Sequence, residues 1–262
     1  MLKRLVVMAL RPFGRRHAHE GPIGQRFVKL RAVLFDLDNT LLDFLRMKRL
    51  ASDAAARAMV AAGADFPFPS EEAGDILFGE YLQDIEGDTV FEAFLRKHHQ
   101  QKLSLNQHQI DKITAAAVNA YMEAKRLHLQ AYPTVKRTLL ELARRGLRMG
   151  VVTDAPRFKA YQRLDAAGLT DFFDFVLTST DHGEHKPHER PFQEALDLLS
   201  MRPQEVLMVG DWPERDMDGA KAVGMQTAWA SYGRPGEAAP PTADHTISRF
   251  SELLKVTAFG GA

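Results

Sequence analysis

Five short apolar runs recur along the chain, at about residues 31–35, 148–152, 175–178, 206–209 and 226–230, with helical patterns between most of them. Strand, helix, strand in alternation predicts a parallel, doubly wound α/β sheet. Between Thr134 and Leu147, for example, Val135, Leu139 and Leu142 mark one face at helical spacing, with Pro133 at the first turn and Gly146 just past the end. The first run is the most informative. Val33-Leu34-Phe35 leads into Asp36-Leu37-Asp38, and Asn39-Thr40 then breaks the strand pattern. Two carboxylates at the end of a buried strand are costly to hold close together without a cation. The carboxyl ends of the strands are also where open α/β sheets bind ligands.

One segment does not alternate. Residues 42 to about 130 read as helix after helix without a convincing strand: Ala51 to Val60, Glu71 to Leu82, Thr89 to His99 and Gln107 to Arg126, with Phe66-Pro67-Phe68-Pro69 as a breaker. So long a block is too large for a simple crossover between neighbouring strands. The expected organisation is a flexible basic tail over 1–28, an α/β core from 29–41 and 131–262, and an inserted helical subdomain over 42–130. Near the carboxyl end, Arg234 to Pro241 reads as a surface loop. Asp244 to Ile247 then reads as a short edge strand, and Ser248 to Lys255 as a closing helix capped by Ser248 or Ser251.

Charge and composition narrow the function. Lys+Arg and Asp+Glu are equal at 34 each, which gives no electrostatic case for a nucleic-acid partner. The chain has no cysteine, so disulfides, thiolate metal sites and cysteine nucleophiles are excluded. That suits a reducing cytoplasm. No apolar run approaches bilayer length, so no membrane span is expected. The expected assembly is a monomer or homodimer. The tail is basic, with Lys3, Arg4, Arg11, Arg15, Arg16 and Arg26 against Glu20. It reads as a flexible arm, with an adhesive role toward an anionic partner as the alternative.

Three partners give Asp36 and Asp38 their weight. The run ending at Val152 leads to Thr153-Asp154. The run ending at Val209 leads to Gly210-Asp211, with Asp216 five residues on. Lys186-Pro187 lies in a polar loop before the helical pattern Pro191 to Leu199. A hydroxyl, an ammonium and four carboxylates therefore belong at one edge of the sheet. In order and residue type these four motifs resemble the haloacid dehalogenase (HAD) superfamily of phosphohydrolases, across roughly residues 30 to 255. Two departures stand near the third and fourth motifs: His188-Glu189-Arg190 follows Pro187, and Arg215 precedes the last aspartate where asparagine is common.

The resemblance implies a Rossmann-like core with a helical cap of the C1 type. It also implies a magnesium-dependent phosphatase acting on a small phosphorylated metabolite. A transferring phosphoryl group is anionic, so positive charge and alignment do most of the catalytic work. On this reading Asp36 is the nucleophile that forms an acyl-phosphate, and Asp38 is the general acid and base. Thr153, Asp154 (through its backbone amide) and Lys186 bind phosphate. Asp211 and Asp216, with one of Asp36 and Asp38, hold Mg2+; all four count as candidate ligands.

A phosphomutase shares all four motifs and is the nearest rival. A dehalogenase would have no use for Asp38 and the second acidic pair. A response-regulator receiver domain has its acidic pair before the phosphorylated aspartate and no helical insert. A non-enzymatic regulator would not need every catalytic group. Other polar clusters have blander readings. His182, His185 and His188 lack a carboxylate or cysteine frame for a metal and read as a polar loop. Arg46, Lys48 and Arg49 read as a solvated helix face, with an anionic substrate as the alternative partner.

Overall fold

The computed structural model describes residues 28–83, 90–100 and 105–258. The predicted flexible tail, apart from Val28, lies outside the described residues.

In chain order the elements are β1 (Ala32–Phe35), α1 (Phe44–Ala62), α2 (Ser70–Gln83), α3 (Val90–His98), α4 (Gln107–His128), α5 (Val135–Arg144), β2 (Arg148–Thr153), α6 (Arg157–Ala166), β3 (Phe175–Thr178), α7 (Ser179–His182), α8 (Glu189–Leu199), β4 (Val206–Gly210), α9 (Asp218–Ala222), β5 (Gln226–Ala230), β6 (His245–Ile247) and α10 (Leu253–Val256). The chain divides into two compact units. One holds Leu42–Ala131, and the other holds the residues before and after it.

The second unit is an α/β protein. Its six strands are all parallel, in the order β3-β2-β1-β4-β5-β6. Every residue of β1 and β4 is buried, as expected for parallel strands covered on both faces. One face carries Ala32, Leu34, Val206 and Met208 against Phe192, Ala195, Leu196 and Leu199 of α8. Those helix positions recur at the three- and four-residue spacing that turns one stripe inward. α5 buries Val135, Leu139 and Leu142, the stripe predicted from sequence, together with Thr138. Its first residue is Val135, and Thr134 before it sits in the left-handed region at φ 71°, so Pro133 lies outside the helix. The closing helix is short. A 3-10 turn, Phe250–Glu252, precedes α10. Ser248 donates both its N–H and its hydroxyl to Glu252 and so does not cap by accepting.

The helical unit, α1 to α4, has its own aromatic core. Tyr81 and Tyr121 stack at 5.2 Å between centroids, and Phe91 meets both edge-on. α4 begins with a capping box in which Asn106 and Gln109 satisfy each other's backbone N–H groups. The solvated-face reading of Lys48 is corrected here. It is 8% exposed and its ammonium lies 4.2 Å from the Tyr81 ring centroid. The apolar stem and the cation–π contact offset the loss of water. Arg46 and Arg49 are exposed, and Arg49 pairs with Asp75 at 2.5 Å. No helix among the described residues is long and apolar enough to cross a membrane.

Candidate active site

The register of three neighbouring strands builds the site. Phe35 lies level with Val151 of β2 on one side and Val209 of β4 on the other. The chain therefore leaves β1, β2 and β4 at adjacent points of one edge. The backbone N–H of Asp36 extends the ladder by one bond, donating to Val209 O at 2.9 Å. β1 sits at the point where the connections change direction, with β2 and β3 to one side and β4 to β6 to the other. That crevice is the usual ligand position in such sheets.

Lys186 stands at the centre of the polar groups. Its residue is 4% exposed, and Nζ donates to Asp36 Oδ1 and to Asp216 Oδ1, each at 2.6 Å. The Lys186 N–H donates to Asp154 Oδ1 at 2.9 Å, which ties the lysine loop to the end of β2. The Lys186-Pro187 bond is cis. Asp216 is held from its other oxygen, where Oδ2 accepts the Trp212 N–H at 3.0 Å. Residues Pro213–Met217 form a π-helical turn that swings Asp216 back toward β4. That approach needs Gly210, because a Cβ there would fall 2.3 Å from Asp216 Cγ.

Asp211 follows Gly210. Its Oδ1 accepts from the Thr40 hydroxyl at 3.4 Å, and its Oδ2 faces Arg234 Nε at 3.3 Å. Its carbonyl accepts the Trp229 indole N–H at 2.9 Å. One oxygen each from Asp36, Asp211 and Asp216 lies within 4.8 Å of the others, and all three residues are buried. Among the described residues this is the one group of three or more histidine, aspartate or glutamate side chains close enough together to hold a metal ion.

The electrostatics favour a second cation. Burial is the largest influence on Asp36 and raises its carboxyl well above the ordinary value; Lys186 opposes this, while Asp216 and Asp211 add to it. Burial and then Asp216 push Asp211 up to about 7, against Arg234 and Lys186. Burial works against the Lys186 ammonium too, but Asp216 and Asp36 outweigh it, so the lysine holds its proton more tightly than usual. Three buried carboxylates thus share one buried ammonium and the partial help of Arg234. An additional cation lets all three ionise together. All-oxygen donors suit a hard divalent ion.

The remaining predicted residues lie around this group. Thr153 is buried at the end of β2, and its Oγ1 accepts the Ala155 N–H at 3.2 Å, which leaves the hydroxyl hydrogen able to donate elsewhere. The Asp154 carboxylate is engaged by Lys186 N–H and by Arg215 at 3.3 Å, so it knits the second, third and fourth motifs together. Asp38 is not among the three clustered carboxylates; its Oδ2 accepts from Arg163 of α6. In the histidine-rich loop, His188 Nδ1 accepts the Arg190 N–H and caps α8, and His185 is exposed, 3.7 Å from Asp154.

Sequence reasoning missed several supports: Arg163, Arg234, Trp229 and Tyr232, whose hydroxyl donates to Thr40 O at 2.8 Å. Arg163 carried a legible signal. It sits between Ala160 and Leu164 on the inward stripe of α6, where an apolar residue belongs. Arg234 and Tyr232 lie in and beside a loop, where no periodicity marks an inward position.

A family model for haloacid dehalogenase-like hydrolases matches residues 30–224. The glyceraldehyde 3-phosphate phosphatase of Pyrococcus furiosus is 32% identical over 236 residues, covering 87% of this chain and 93% of that protein. The ribulose-1,5-bisphosphate 5-phosphatase of Halopiger xanaduensis is 31% identical, with 85% and 97% covered. Among solved structures, a HAD phosphatase from Thermococcus onnurineus is similar at TM-score 0.57 and 29% identity, with 87% of this chain and 97% of that one covered. The parallel sheet with an acidic, lysine-centred crevice at its switch point fits the α/β hydrolases that the chain is similar to. The chain belongs to the haloacid dehalogenase-like hydrolase family.

Proposed function

We propose that the protein is a magnesium-dependent phosphatase that hydrolyses a small phosphate monoester through an aspartyl-phosphate on Asp36. The observation that carries this reading is Lys186 Nζ, which holds Asp36 and Asp216 at 2.6 Å each inside a buried group of three carboxylates. A carboxylate so placed has the charge support that attack on an anionic phosphoryl group requires. In the first step an Asp36 oxygen bonds to phosphorus as the ester P–O bond breaks, and Asp38 gives its proton to the leaving oxygen. In the second, water attacks phosphorus, its proton passes to Asp38, and the Asp36–phosphorus bond breaks to release inorganic phosphate. Lys186 neutralises a phosphoryl oxygen, and the Thr153 hydroxyl and the Asp154 amide donate to others. Asp36, Asp211 and Asp216 would hold Mg2+, which supplies positive charge beside the phosphoryl oxygens when bound.

The helical unit, residues 42–131, serves in this reading as the cap that selects the substrate. The names of the relatives make phosphorylated sugars of three to five carbons the first class to test, beginning with glyceraldehyde 3-phosphate. The purified protein should release phosphate from p-nitrophenyl phosphate with Mg2+, and a chelator should abolish the reaction. Asp36→Asn should remove activity by about a thousandfold or more. Full activity in Asp36→Asn protein would end the aspartyl-phosphate mechanism.

A further inference from the structure

We infer that Arg163 is a positioning residue for Asp38, holding its carboxylate so that proton transfer to and from the substrate oxygen is in register with attack by Asp36. The inference rests on the reading of Asp38 as the acid and base.

Arg163 is 4% exposed, on the inward stripe of α6 beside Ala160 and Leu164. Burying a guanidinium is costly unless it is paired, and a leucine would fill such a helix position without that cost. The arginine's Nη1 donates to Asp38 Oδ2, across 125 residues of sequence. Asp38 itself lies three residues past the end of β1, beside Asn39, whose φ of 60° lies in the left-handed region. Proton transfer in register with attack needs the carboxylate held in one orientation. A charged hydrogen bond from a rigid helix supplies that restraint. The guanidinium engages Oδ2 through Nη1. In the first step the proton leaves Asp38 for the ester oxygen as the P–O bond breaks. In the second it returns from the attacking water.

The test separates protonation from folding. Leaving groups differ in their need for a proton: an alkoxide needs one, while p-nitrophenolate leaves without it. Values of kcat/KM for an alkyl phosphate and for p-nitrophenyl phosphate should be measured for wild type, Arg163→Met, Arg163→Lys and Asp38→Asn, each with excess Mg2+. Arg163→Met should lose about tenfold or more on the alkyl ester and several times less on the aryl ester, and Arg163→Lys should recover part of the difference. Inhibition by inorganic phosphate should stay within about twofold of wild type, since Arg163 does not bind the phosphoryl group. Equal losses on the two esters, or none on either, would overturn the positioning role, because a purely structural arginine lowers both alike. If Arg163→Met does not fold, Arg163→Lys carries the same comparison. Wild-type rates for Asp38→Asn on the alkyl ester would instead remove the acid–base reading beneath it.

Discussion

Gly210 has no side chain, and that absence is what lets the Asp216 carboxylate reach the end of β4. A methyl group placed there would meet Asp216 Cγ and Oδ2, each at 2.3 Å, and neither can move without releasing Lys186 or Trp212 N–H. Gly210→Ala is therefore expected to cut activity by about a hundredfold or more while destabilising the fold by about 1–3 kcal/mol. Steady-state rates and urea melts on the same preparation check both figures. Asp211 supports a prediction of opposite sign for stability. Its carboxyl is raised to about 7 in the folded, cation-free protein, whereas in an unfolded chain it titrates near 4. A raised folded value means that its stabilising contribution is complete below the unfolded value and is lost as pH rises through about 7. In chelator, Asp211→Asn should therefore be more stable than wild type at pH 8, by on the order of 2 kcal/mol, with the gap closing toward pH 4. Urea unfolding at several pH values measures this. A wild type more stable than the variant at pH 8 without cations would contradict the like-charge account of the site.

Individual elements differ in how plainly the chain announces them. The strands β1, β2 and β4 are continuous apolar runs that lead into polar residues, a pattern legible in the amino-acid order alone. So are the helices of residues 42–131, whose buried residues recur at helical spacing. Lys48 was not legible, because a lysine on a helix reads as solvated until the aromatic rings that cover it are placed. The support that Arg234 gives Asp211 was equally hidden, since a loop has no period to betray which side chain turns inward. β6 illustrates a third case, a three-residue strand held by polar contacts at its start. Asp244 accepts from the Thr227 N–H of β5 at 2.9 Å and from Lys221 at 2.6 Å. Burial opposes its charge, but these hydrogen bonds and the Lys221 ammonium outweigh it and lower its carboxyl below the ordinary value. A lowered folded value gives stability above the unfolded pKa that is lost as pH falls through the folded one. Asp244→Asn should thus cost about 1 kcal/mol near neutrality and progressively less below about pH 4, followed by chemical denaturation.

At the scale of the molecule, a unit built on a parallel six-stranded sheet and a unit holding helices α1 to α4 divide the chain between them. The helices interrupt the sheet protein between Leu41 and Tyr132, and the interruption is already stitched on the sheet side: Leu41 O accepts the Tyr132 N–H at 3.0 Å. Just inside the helical unit, Leu42 and Ala131 form an antiparallel bridge, and the Asp43 N–H donates to Gln130 O. The two chain crossings run side by side like the legs of a hairpin. The entropy of closing such a loop grows only slowly with its length, so a long insert costs little more than a short one. The seam at Leu41 and Tyr132 is thus a natural graft point, where evolution or an engineer can exchange one lineage's ninety-residue cassette for another, or for a tight turn, while the chemistry-bearing scaffold keeps its thread.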